Sequence, residues 1–286
     1  MLPHSRLLIV AIGMPLHLNS MANTTEEQSI DLFSYAVGPA FEACNSAFAT
    51  EDKLHFIGRT EMIDKNSGKV IGHFVYTIWT NLEEQRNELL DVDITLCNEN
   101  RTPVHFLNRL PASSDSNEYY DAETEETEQH FQLETVCRYT VPGEIVDTVR
   151  DVSISVFPFE LNIFDSITAF NRHIGFKEHH PIGDTGLTTE GLSETFLAPG
   201  GIFSKSENDE TYSFIVGTVE SFEDVSVSFG KYILDFVLAQ VRTAMGIVPV
   251  AMGRDVFDIE KLKPGMVVAM NADVKADLSK PEDFKS

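Results

Sequence analysis

The chain of 286 residues carries 45 Asp and Glu against 21 Lys and Arg, a formal charge of -24, with 42% hydrophobic and 23% charged residues. Such a composition excludes a mainly disordered or fibrous chain. The charge argues against duplex nucleic acid and anionic membranes as partners, since both need clustered cations, and it favours a basic protein partner instead.

At the start, Arg6 and the apolar run Leu7 to Leu16 form a weak signal-like segment, interrupted by Pro15 and His17 and too short to cross a bilayer. Residues 1–24 are therefore read as a disordered extension, or as sequence upstream of a start at Met21, and the protein as cytoplasmic, with secretion the minority alternative. Cys44, Cys97 and Cys137 show no CxxC spacing and are read as buried free thiols.

Thr25-Glu-Glu-Gln28 has capping-box spacing, and Ile30, Phe33, Ala36 and Val37 recur on one helix face, so a covering helix is expected here, broken at Gly38-Pro39. From Lys53 the period becomes two. Leu54 to Met62 and Val70 to Thr80 flank the turn Asp64-Lys-Asn-Ser-Gly68, predicting a hairpin. A second pair, Leu90 to Cys97 and Pro103 to Leu107, continues the expected meander. Pro111 to Gln129 holds seven carboxylates and no cation, which predicts a solvated loop. Strands follow at Phe131 to Thr140 and Val149 to Phe157, the latter ending at Pro158. Residues from Phe164 to Ser206 read as an irregular connection with a short helix near Ile167.

Beyond it, Tyr212 to Phe222 reads as a strand bent at Gly217, Tyr232 to Thr243 as a strand or a helix, Ile247 to Ala251 as a short strand, and Asp255 to Leu262 as a short helix. The turn Lys263-Pro264-Gly265 launches the strongest pattern in the chain: Met266, Val268, Met270, Ala272, Val274, Ala276 and Leu278 alternate from residue 271 with Asn271, Asp273, Lys275 and Asp277, which predicts a long strand with one wet face. That order of elements resembles the OB fold over about a quarter of the chain. The expected class is thus α+β and β-rich: an antiparallel α+β domain at 25–162 with its covering helix, a linker at 163–207, and a small OB-like barrel at 208–286. The resemblance implies a binding face that includes some of Phe229, Tyr232, Phe236 and Arg242, for an oligosaccharide or a short single strand.

Catalytic signatures are missing: there is no GxSxG, no Walker sequence, no GxGxxG after a strand, and Asp184-Thr185-Gly186 has no second copy. His173, His179, His180 and Asp184 are the only local group with metal-ligand chemistry, at a spacing that fits no helical ligand pair, so a metal-dependent hydrolase ranks last and no cofactor is expected. The sequence is read as a non-catalytic intracellular protein acting through protein contacts, with its oligomeric state open.

Overall fold

A computed structural model describes residues 55–81, 88–97, 100–111, 118–125, 128–136, 143–174, 192–200, 212–229, 232–254 and 256–278. The signal-like run and the capping-box helix lie outside them. Twelve strands form one mixed sheet: β1 (His55–Asp64), β2 (Val70–Asn81), β3 (Glu88–Cys97), β4 (Thr102–Leu110), β5 (Glu118–Thr124), β6 (His130–Val136), β7 (Thr148–Phe164), β8 (Leu197–Pro199), β9 (Ser213–Phe229), β10 (Tyr232–Thr243), β11 (Gly246–Gly253) and β12 (Val267–Asp277). The one helix among the described residues is α1 (Ile167–His173), at the place expected, capped where the Ser166 hydroxyl accepts from the Ala169 amide.

β1 and β2 form the expected hairpin. Its turn is set by Asp64, whose carboxylate accepts from the Asn66 and Ser67 amides and from the Ser67 hydroxyl, while Gly68 takes the left-handed conformation. The Ser67 hydroxyl, and after it the Asn66 amide, holds the Asp64 carboxyl below its ordinary value. The second expected hairpin does not form. β3 pairs with β2, whereas β4 pairs with β5 and β7. The acidic segment also differs from expectation, because β5 runs through it, paired with β4 on one side and β6 on the other. It buries Tyr119, Tyr120 and Ala122 while Asp121 and Glu123 face outward.

β7 does not stop at Pro158. It continues to Phe164, and the missing amide is accommodated where the register with β12 shifts between Asn271↔Glu160 and Ala272↔Pro158. β10 is a strand, paired along β9 from Tyr232↔Phe229 to Arg242↔Thr218. Residues 256–266 make successive turns instead of a helix, pinned by buried Ile259 and Leu262, and Gly265 completes the expected turn before β12 with φ 86°.

The expected fold class is corrected by the pairing. A separate N-terminal sheet followed by a small barrel is not what forms: strands from both halves interleave in one mixed sheet, while the expected covering helix lies outside the described residues. β12 pairs antiparallel with β7 and β9 and parallel with β6. β11 pairs parallel with β7, and β1 pairs antiparallel with the far end of β9. Two closed circuits of pairing result. One runs β9, β10, β11, β7, β12; the other runs β4, β5, β6, β12, β7; the β7–β12 ribbon belongs to both. Each circuit consists of a three-stranded meander plus that ribbon, with one parallel contact, so β4 to β7 and β9 to β12 repeat a single connectivity. Both contribute to one apolar core, including Phe106, Phe131, Val156, Val237, Val250 and Val274.

Gly217 lies where β9 passes under β10. A Cβ there would sit 2.4 Å from Val241 Cγ1 and 2.8 Å from the Arg242 carbonyl oxygen, so close approach of two backbones demands glycine. Gly217→Ala is expected to lose about 2 kcal/mol through overpacking, read as a lower urea midpoint with an unchanged slope. A midpoint within error of the parent would show that β10 yields at no cost.

Candidate functional site

The outward face of β12 divides into two parts. Side chains alternate faces along a strand, so Val267, Ala269, Asn271, Asp273, Lys275 and Asp277 share one side. Val267 and Ala269 pack with Phe170 of α1, Leu192 and Val216 in a small apolar cluster. Farther along, the same face becomes charged and is nonetheless buried: Lys275 is 0% and Asp277 1% exposed. The expectation that the intervening positions of the last strand face water therefore fails at Lys275 and Asp277, while Asn271 and Asp273 stay partly exposed.

Lys275 stands in register between Ser155 of β7 and Glu134 of β6, and its ammonium donates to the Glu134 carboxylate. Ser153, opposite Asp277, is buried too, as are Ser155 and Thr135. Across this floor lies β3. The Thr95 and Ser155 hydroxyls share a hydrogen bond of 2.8 Å, and the Leu96 amide donates to the Ser155 oxygen at 3.4 Å. A lysine and a glutamate both withdrawn from water carry a desolvation cost that their mutual contact helps to offset. The group is paired and buried, with no face open to a ligand in this conformation.

A second polar row crosses the outer face of β4, β5 and β6. His105, Glu123 and His130 are direct cross-strand neighbours. The Glu123 carboxylate meets His105 Nδ1 at 2.8 Å and His130 Nε2 at 3.6 Å, with side-chain exposures of 31%, 23% and 59% for His105, Glu123 and His130. Among the described residues no three His, Cys, Asp or Glu side chains converge to hold a metal ion, this row included. A cleft of about 420 Å³ opens between the end of β7, α1 and the turns before β12, lined by Leu161, Phe164, Asp165, Phe257, Lys261 and Met266. Lys261 in its wall is paired with Asp258 at 3.3 Å.

The residues singled out from sequence are not brought together. Phe236 is 1% exposed and tilts against Phe74 of β2 with ring centroids 6.5 Å apart, so no face of its ring is free to stack on a ligand. Arg242 lies six residues along β10, about 20 Å away at strand rise, and is exposed, bonded to Glu220 through Nε at 2.6 Å. Tyr232 pairs through its backbone with Phe229 at the opposite end of the strand. His173 ends α1, exposed, with its ring 5.4 Å from that of Phe164. His179, His180 and Asp184 lie outside the described residues. Sequence reading missed the buried Glu134–Lys275 row, although one signal was present: Lys275 interrupts the polar half of the final alternation with a long cation between two aspartates.

No protein-family model, curated protein or solved structure matches the chain. Among the described residues no helix is long and apolar enough to cross a membrane.

Proposed function

We propose that this chain is a non-catalytic binding protein of the cytoplasm whose acidic surface meets a basic protein partner. The observation that carries the reading is the excess of 45 carboxylates over 21 cations. Several of the exposed cations are engaged internally: Lys65 with Asp235, Arg109 with Glu118, Arg242 with Glu220 and Arg254 with Asp224. The remaining carboxylates set the sign of the field at the surface, which steers a cationic surface toward the protein and repels phosphate backbones.

The test is reconstitution of the full chain with a purified partner captured from its own cells. The expected partner is basic, and its affinity falls at least about tenfold between low and high salt as exposed charges are screened. A partner without basic character, or binding indifferent to salt, overturns the reading.

A further inference from the structure

We propose that an extended, cation-bearing segment of a partner protein adds as a strand to the open edge of β7 between Glu160 and Phe164, in the cleft that β11 leaves where it turns away. Such a segment belongs to the basic partner proposed above, and in its sign of charge it rests on that reading.

The open edge follows from where the neighbouring strands stop. On one side β7 pairs with β12 all the way from Ser153 to Phe164. On the other side β4 covers Thr148 to Val152, and β11 runs parallel and meets Val156 through Val250. β11 ends soon after that bridge, at Gly253, whose carbonyl accepts from the Val256 and Phe257 amides as the chain turns aside. Among the described residues no strand pairs with the second side of residues 159–164. In an antiparallel ladder every second residue turns its amide and carbonyl away from its partner. Alternate residues of 160–164 therefore aim both groups into the space beside β7, which makes that edge a template for one more strand.

That space is the cleft of about 420 Å³, and the unbroken run Leu161, Asn162, Ile163, Phe164 and Asp165 lines it. Side chains of a strand alternate between faces, so a cavity that touches successive residues lies along the edge and not on one face. The turns that follow β11 form the opposite wall, with Phe257 and Lys261. Its floor is apolar, because Leu161, Ile163 and Phe257 are partly buried against the main core. At the mouth, Asp258 and Lys261 pair with each other at 3.3 Å, whereas Asp165 is exposed and has no such cation among the described residues. An extended segment with an apolar side chain over Leu161 and Ile163 and a Lys or Arg beside Asp165 meets all three features. A compact ligand without a peptide backbone would desolvate the edge groups without bonding them.

Selection of short random peptides, displayed on phage, against the full-length chain tests this. The peptides recovered are expected to alternate apolar residues with Lys or Arg. Once synthesised, they should slow hydrogen exchange at alternate amides of residues 160–164 at least about tenfold, with β10 unchanged. Ala169→Trp, which fills the cleft from α1, should weaken their binding at least about tenfold, as should methylation of alternate backbone nitrogens in the peptide. Methylation leaves the protein untouched, so it decides the matter should the variant fail to fold. Peptides that protect other residues instead, or that bind equally well whichever set of nitrogens is methylated, overturn strand addition at β7, and the salt dependence of a captured partner still judges the basic reading separately. Cation-free peptides at this edge, or a selection that recovers no binder, overturn the proposal as well.

Discussion

Lys275→Ala is expected to cost about 3–5 kcal/mol of folding stability, the largest effect of any single substitution considered, because it leaves the Glu134 carboxylate buried opposite an empty volume. Lys275 is fully enclosed between β6 and β7, so the loss is not screened as a surface pair would be. Lys275→Met combined with Glu134→Leu should recover most of that loss, since two apolar side chains of similar volume need no mutual contact to offset desolvation. Guanidinium unfolding of the parent, both single variants and the double variant forms a complete cycle. A cost below about 1 kcal/mol for Lys275→Ala would mean that water reaches the pair and that the floor is not sealed.

A fragment of residues 208–286 is expected not to fold alone. It contains β9, β10, β11 and β12, but the strand that completes their circuit is β7, at residues 148–164. Without β7, β12 loses eleven register pairs, from Val267↔Phe164 to Asp277↔Ser153, and β11 loses its parallel neighbour at Val156. The core is opened as well, because Ile154 and Val156 lie among the residues that fill it. Near-ultraviolet circular dichroism of the fragment should be flat and its amide spectrum poorly dispersed, while coexpression with residues 25–207 should restore both. A cooperative unfolding transition from the fragment alone would show that the meander closes without its fifth strand.

Local chemistry was legible and pairing was not. The Asp64–Gly68 turn, the helix at Ile167, the strand at Met266 to Leu278 and the turn at Gly265 all rest on interactions within a few residues, and each stands near where it was expected. β5 was lost to composition. Tyr120, Ala122 and Thr124 do alternate with Asp121 and Glu123, but a run of carboxylates outweighed a pattern only seven residues long. Its charge is tolerable in a strand because one face is wet and His105 and His130 flank Glu123. Period two also identifies which side chains share a face without identifying what covers that face. Lys275 and Asp277 were therefore read as solvated, when β3, some 180 residues earlier, lies over them. The same limit applies to Phe236, an aromatic on the proper face of a strand whose face is filled by Phe74. Resemblance to a five-stranded barrel arose from β9 to β12, a true order of elements that could not reveal a partner strand drawn from upstream of α1.

The ribbon shared by the two circuits also sets a timetable for synthesis. Asn271 and Glu160, which bond across it, are separated by 111 positions in the chain. Until residues 267–277 have left the ribosome, β6 and β7 each present an unsatisfied row of amides and carbonyls, and nothing made earlier can stand in for β12. A nascent chain in that interval is exposed to mispairing with its neighbours, and closure over so long a separation is slow. A chain cut before residue 267 would therefore lose the partner of β6, β7 and β9 together, and not β12 alone.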